Sequence, residues 1–234
     1  MYTLEGRVRY SEVDFHKRMT IPALINYLQD CCTFQGEDAG IGLDFLQEKK
    51  RAWFINSWQI EILDMPLMAD AVKVHTWAYE FKGFYGFRNF LVEDAQGHIY
   101  AKVNSIWIFM DMDTLRPTRV DKEIGEAYGK DPQLDGEWPA RKISLLPNLC
   151  VQETIEVQKN LLDTNQHVNN EKYIELAIGC LPEGYEVKHI RVEYRSAAVL
   201  RDTIVMKTAQ QENDFQVVMC DEEDNVYAIV EFKR

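Results

Sequence analysis

Leu162-Asp163-Thr164-Asn165-Gln166-His167-Val168-Asn169-Asn170 runs straight into Glu171-Lys172-Tyr173-Ile174-Glu175-Leu176-Ala177, and a degenerate copy of this passage stands near the start of the chain. There, Tyr10-Ser11-Glu12-Val13-Asp14 leads into Met19-Thr20-Ile21-Pro22-Ala23-Leu24-Ile25-Asn26-Tyr27-Leu28. With Asp14 set on Asp163, Met19 falls on Val168, Thr20 on Asn169 and Ile25 on Ile174. Each copy reads as a polar lead-in, a capping residue and a helix. Thr20, Asn169 and Asn170 are residue types whose side chains accept hydrogen bonds from a first helical turn. Pro22 is tolerated at that position, and Ile21, Leu24, Ile25 and Leu28 form an apolar stripe at helical spacing.

Two further pairings extend the duplication. Ile60-Glu61-Ile62 followed by Asp70-Ala71-Val72-Lys73-Val74 matches Val192-Glu193-Tyr194 followed by Asp202-Thr203-Ile204-Val205-Met206, since 193 minus 61 and 202 minus 70 both give 132. Phe87 through Gly97 pairs with Phe215 through Asn225. Order and polarity recur although identity at single sites is low, which is the pattern of a repeated structural unit. Val72 to Tyr79, Phe87 to Val92 and Val103 to Phe109 are rich in β-branched and aromatic residues and read as strands. Ala95-Gln96-Gly97-His98 and Glu223-Asp224-Asn225 read as hairpin turns. One helix followed by several long antiparallel strands describes a hotdog unit. The expectation is therefore an α+β tandem (double) hotdog, with repeats at 1–128 and 151–234. The segment 129–150, carrying Pro132, Gly136, Pro139 and Pro147, is expected to connect them with little regular structure.

The composition narrows the function classes. The chain has 234 residues, 46% hydrophobic and 27% charged, enough for a well-buried core. A net charge of -12, with no dense basic block, argues against nucleic acid as a partner. No apolar run approaches the roughly 18 residues of a membrane span. Met1 to Arg7 shows neither the basic nor the apolar region of a secretory signal, so the cytoplasm is the expected compartment. Five cysteines (Cys31, Cys32, Cys150, Cys180, Cys220) and five scattered histidines show no metal-ligand spacing, so neither metal nor cofactor is expected.

Chemistry concentrates at 163–170. If the lead-in is extended, Asp163, Asn165 and His167 share one face. An acid, a neutral donor and a base beside a helix start suit attack on a carbonyl, because open backbone N–H groups there favour developing negative charge. His167 is the expected general base, Asp163 its orienting partner, and Asn165 a donor to the carbonyl or the water. A backbone N–H near Asn169 and Asn170 would complete an oxyanion site. No Gly-x-Ser-x-Gly elbow supports a serine acyl-enzyme. In the first copy, His16 and Arg18 stand where Asn165 and His167 stand in the second, so that half is expected to be catalytically degenerate.

The run Leu162-Asp163-x-Asn165-Gln166-His167-Val168-Asn169-Asn170-x-x-Tyr173-Ile174 closely resembles the signature of the acyl-acyl-carrier-protein thioesterases of plant plastids and bacteria. Val192-Glu193-Tyr194-Arg195 resembles the Leu-Glu-Tyr-Arg strand of that family, and Tyr10-x-x-x-Asp14 with Ile60-Glu61-Ile62 resembles its first repeat. The resemblance implies hydrolysis of fatty acyl thioesters on acyl carrier protein, terminating chain elongation, in a bacterial member, with catalytic roles on Asp163, Asn165 and His167. One departure stands out. Plant members continue with Arg-Glu-Cys, the Glu being their proposed water-activating group, whereas this chain has Ser196-Ala197-Ala198. Glu193 is a candidate auxiliary carboxylate, set against the simpler reading of a strand carboxylate paired with an arginine.

The first repeat is expected to supply the acyl pocket from Trp53, Phe54, Trp58, Phe84 and Phe87, with Phe81 and Tyr85 nearby. Docking of an acidic carrier would need local basic charge, for which Lys49-Lys50-Arg51, Arg141-Lys142, Lys172, Lys188 and Arg191 are the candidates. A hotdog thioesterase acting on acyl-coenzyme A, a non-catalytic acyl-binding module and a dehydratase are the competing readings. Unpaired strand edges leave a homodimer open.

Overall fold

The computed structural model describes all residues from Met1 to Arg234. Two compact units emerge, Met1–Asn56 with Ile60–Trp138, and Pro139–Arg234 with Ser57–Gln59. The first half carries β1 (Tyr2–Arg7), α1 (Ile21–Asp38), α2 (Leu43–Glu48), β2 (Arg51–Ile62), β3 (Ala71–Lys82), β4 (Tyr85–Glu93), β5 (Ile99–Asp111), β6 (Arg116–Pro117) and α3 (Lys122–Tyr128). Its strands lie in the order β1-β3-β4-β5-β2. The second half carries β7 (Cys150–Glu156), α4 (Asn170–Gly179), β8 (His189–Tyr194), β9 (Thr203–Gln211), β10 (Asp214–Cys220) and β11 (Val226–Lys233). Its order is β7-β9-β10-β11-β8, place for place the same. The expected duplicated α+β architecture is borne out. No helix is long and apolar enough to cross a membrane.

Helix α1 forms where its stripe and cap dictate. Thr20 Oγ1 accepts from the Ala23 amide, Pro22 sits in the first turn, and Leu24, Ile25 and Leu28 are buried. Residues at this spacing share a face, and with Cys31 they pack against a sheet whose inner positions include Val72, Val74, Phe90, Val92, Ala101 and Val103. In the second half Tyr173, Ile174 and Ala177 bury the corresponding face of α4.

The repeats agree down to individual side chains. Asp70 Oδ2 accepts from the Leu67 amide while Ala69 adopts φ 77°, and the backbones of Val8 and Asp70 exchange a bond. Asp202 Oδ2 accepts from the Val199 amide while Arg201 adopts φ 72°, and Val157 bonds to Asp202 in the same way. At the β4–β5 and β10–β11 hairpins, Asp94 holds the amides of Gln96 and His98, and Asp221 those of Glu223 and Asn225. The left-handed residues there are Gly97 and Asp224. Sequence pairing set Gly97 on Asn225, so the structure moves that register by one residue. A bulge recurs at the equivalent place in each hairpin, at Val92/Glu93 and at Met219/Cys220.

No helix or strand lies between Tyr128 and Cys150, yet this connector is anchored rather than loose. In the first half Pro132 O accepts from the Trp77 indole N–H, and the Leu134 amide donates to Asn89 Oδ1. In the second, Leu146 N–H and Ser144 O engage the two ends of the Gln216 amide, while Ile143 packs on Val218 and Ile229. A backbone with no ladder of its own thereby finds partners for its polar groups. Ile143 is 1% exposed. Ile143→Ala should lower stability by about 2–4 kcal/mol, the range for emptying such a site, measured as a shifted urea midpoint.

Candidate active site

Asp163 begins a tight hairpin, not an extended run. Its N–H donates to His167 O (2.7 Å), its carbonyl accepts from the Gln166 amide, and its carboxylate Oδ1 accepts from the amides of Asn165 (2.8 Å) and His167 (3.2 Å). Gln166 takes a left-handed φ of 63°. An aspartate whose oxygen reaches the amides ahead of it makes a self-contained turn, and this competes successfully with extension. Simple alternation therefore does not apply within the motif, and the turn escapes a reading of residue pattern because it rests on the aspartate's reach to the amides ahead. Leu162 and Val168 pair across the hairpin base.

The first half repeats this loop. Asp14 Oδ1 accepts from His16 (2.8 Å) and Arg18 (3.0 Å), Lys17 has φ 63°, and Val13 pairs with Met19. Asp163 thus carries a structural duty that Asp14 shares, whatever else it does. The chemical difference lies in what each loop presents: His16 and Arg18 in one, Asn165 and His167 in the other. Asn165 is exposed and His167 half-buried.

Past the hairpin, Asn169 is the cap of α4, its Oδ1 accepting from the Glu171 amide (3.0 Å). The neighbouring donors are spoken for: Val168 N–H goes to Ala198 O, Asn169 N–H to Leu161 O and Lys172 N–H to Asn169 O. As the first residue of α4, Asn170 has no intrahelical acceptor for its N–H, and its carbonyl accepts from Tyr194 Oη (2.7 Å). The Ala198 amide donates to Tyr173 Oη (2.9 Å), and burial pushes that phenol up to about 12, so it stays neutral. Residues 196–198, where the resemblance places a water-activating Glu in plant members, are therefore bonded directly to the start of α4.

Glu193 is not brought to this cleft. Tyr194 reaches α4, so the preceding side chain points the other way. Glu193 Oε2 accepts from the Ile143 amide (2.7 Å) and Oε1 from Arg195 Nε (3.0 Å), the arginine-paired alternative weighed for it. One carboxyl did escape sequence reasoning. Glu171 is 2% exposed, with Oε2 3.3 Å from Lys172 Nζ and Oε1 without a hydrogen-bond partner. Burial raises its carboxyl above the ordinary range. The signal was available: Glu171, Ile174 and Ile178 share one helical stripe, which puts a carboxylate on an apolar face.

The expected pocket aromatics do not form one surface. Trp53 sits 4.7 Å from Phe109 between ring centroids and neighbours Phe81 and Tyr128, beside a cluster of Ile41, Leu46 and Ile124. A side chain on Gly86 would strike the Trp53 ring, so Phe87, the next residue of β4, faces the opposite side. Phe87 instead joins Tyr79 and Tyr85, and Tyr85 in turn joins Phe84. Trp58 is wholly buried, while Phe54 is half-buried. Much of the basic charge considered for docking is offset locally: Lys50 by Asp113, Arg51 by Asp111 and Asp121, Lys172 by Glu171 and Glu175, and Arg191 by Glu231.

Two matching units, each a helix against an antiparallel sheet with an aspartate hairpin at the helix start, make this a tandem hotdog protein. Residues 1–128 match the family described as the acyl-ACP thioesterase N-terminal domain, and residues 150–233 match the acyl-ACP thioesterase C-terminal domain. The chain belongs to the acyl-ACP thioesterase family. It is 27% identical over 232 residues to oleoyl-acyl carrier protein thioesterase 2, chloroplastic, of Arabidopsis thaliana, covering 90% of this chain and 63% of that protein. To the chloroplastic palmitoyl-acyl carrier protein thioesterase of Cuphea hookeriana it is 26% identical, covering 80% and 49%. The chain thus spans about half to two-thirds of the length of these curated relatives. Among solved structures, an acyl-ACP thioesterase from Bacteroides thetaiotaomicron superposes with TM-score 0.90 at 24% identity, over 99% of this chain and 96% of that one. The 12:0-ACP thioesterase of Umbellularia californica gives 0.88 at 20%, over 99% and 96%. At these identities the structural likenesses establish the fold.

Asp14→Ala and Asp163→Ala each remove a carboxylate that holds two amides. Both should lower Tm by a similar amount, about 2–6 °C for one to two net hydrogen bonds in a chain of this size, read by calorimetry.

Proposed function

We propose that the chain hydrolyses fatty acyl thioesters of acyl carrier protein, releasing free fatty acid and the carrier thiol. The observation that carries this reading is the aspartate-braced hairpin that presents Asn165 and His167 at the start of α4, beside the open Asn170 amide. Family membership supports it, and so do the printed activities of the relatives. Hydrolysis of a thioester requires proton handling and a donor for the carbonyl oxygen as it gains charge. His167 is the proton-handling group, an imidazole being the side chain best suited to both accept and give a proton. Asn165 and the Asn170 N–H are the donors to the developing oxyanion. Asp163 fixes where both side chains begin. A bacterial, cytoplasmic setting is part of the proposal, supported by the likeness to the Bacteroides chain.

Steady-state hydrolysis of acyl-carrier-protein substrates of graded chain length tests the reading, with the same acyl groups on coenzyme A alongside. The carrier-bound series should be turned over with the higher kcat/KM. His167→Ala should lower kcat by about 10² to 10⁴, and Asn165→Ala by about 10² to 10³, with folding intact. Preference for the coenzyme A series would transfer the activity to that carrier. Binding without turnover on either carrier would leave only an acyl-binding module.

A further inference from the structure

We propose that Glu171 supplies the water-activating carboxyl that the segment Ser196-Ala197-Ala198 lacks, delivered from the first turn of α4 rather than from the loop after β8. The inference rests on the thioester-hydrolase reading of the site.

The geometry shows a group poorly explained by stability alone. Glu171 is 2% exposed, and its Oε1 has no donor in the chain. A buried carboxylate oxygen without a partner is costly, and natural structures seldom leave one without a reason. Its other oxygen lies 3.3 Å from Lys172 Nζ, and that ammonium also binds Glu175 Oε2 at 2.6 Å. One oxygen is thereby held and the other left open, which suits an acceptor for a single water proton. The carboxyl also lies in the right part of the molecule. Its amide is capped by Asn169, its helical neighbour Asn170 carries the open N–H, and Tyr173 two residues on binds the Ala198 amide. Glu171 thus sits in the first turn of α4, four residues beyond His167, while Ala198 is tied to the same helix through Tyr173.

The step balances without a cofactor. A water held on Glu171 Oε1 gives that oxygen its proton as its own oxygen bonds to the thioester carbonyl carbon. The tetrahedral oxyanion rests on Asn165 and the Asn170 N–H. As the C–S bond breaks, the sulfur leaves with the electron pair and takes a proton from protonated His167. Glu171 then passes its proton back to His167 through solvent, and fatty acid and thiol depart. Burial raises the Glu171 carboxyl above the usual value, which makes its ionised form a stronger base. The titratable groups around it are Lys172 and Glu175 on the same helix and the Tyr194 phenol on β8. Lys172 favours the ionised form and Glu175 opposes it.

The sign of the pH dependence follows. A base must be ionised, so turnover should fall as pH drops through the raised value. In the fold, a raised carboxyl is a liability above its unfolded value, and replacing it by a neutral isostere should not lower stability at neutral pH.

Glu171→Gln and Glu171→Asp test the assignment, with turnover, pH profile and Tm measured on the full chain. Glu171→Gln should keep its Tm at pH 7, lose about 10² to 10³ in kcat with KM little changed, and lose the acidic limb due to this carboxyl. Glu171→Asp should recover part of the rate. Hydroxylamine, a nucleophile that needs no base, should restore acyl release by Glu171→Gln as the hydroxamate. A structural lesion would depress that reaction equally. Wild-type kcat in Glu171→Gln, or a defect that hydroxylamine does not relieve, would overturn the assignment while leaving the hydrolase reading intact. A wild-type protein that hydrolyses no acyl thioester would reject both.

Discussion

Two hydrogen bonds from main-chain amides to one aspartate oxygen decide how the polypeptide enters its central helix. In the second half they converge on Asp163, in the first on Asp14. The turn they close puts residue 166, or 17, in the left-handed region and delivers the cap, Asn169 or Thr20, onto the next turn. Because the brace is between a side chain and the backbone, the intervening side chains have no part in it. The loop can therefore carry different chemistry in each copy without altering the fold. Asp163 does the positioning, so the side chains of Asn165 and His167 take no part in the brace.

A second constraint is that charge placed inside must be answered. Arg191 and Glu231 answer each other, and Glu193 is shared between Arg195 and a connector amide. Gln216 satisfies both its amide ends on residues 144 and 146. Glu171 differs, with one oxygen balanced by Lys172 and the other unanswered. The Nε atoms of Arg51 and Arg191, the Trp53 indole nitrogen and the Ser57 hydroxyl also go unanswered, but Glu171 is the one buried carboxylate in that state. Such a mismatch costs free energy, and a substrate water is the partner that would remove the cost.

Much of the architecture was legible in the chain. The helix at Thr20–Leu28 announced itself through cap, proline and stripe, and the strands through β-branched and aromatic runs, because these signals are local. The duplication was legible because aspartates that close turns, at 70 and 202, are fixed by backbone geometry and so recur at constant spacing. What was hidden depended on contacts remote in sequence. Alternation suggested an extended motif at 163–167, whereas the aspartate's reach to the amides ahead folded it into a hairpin. Aromatic residues of the first repeat, such as Trp53 and Phe87, were grouped as one pocket, but Gly86 faces Trp53 and pleating turns Phe87 the other way. Glu171 was not singled out, although its spacing with Ile174 and Ile178 marked the apolar side.

The anchored connector also bears on how the protein can be divided. Ile143 seals Val218 and Ile229, and the backbone of 144–146 occupies the Gln216 amide. A fragment begun at Cys150, where the first strand of the second half starts, would bare that hydrophobic roof and strand the glutamine. A cut upstream of Pro139 would keep the irregular passage with the half it shelters, and would still leave behind Ser57–Gln59, which belong to that unit.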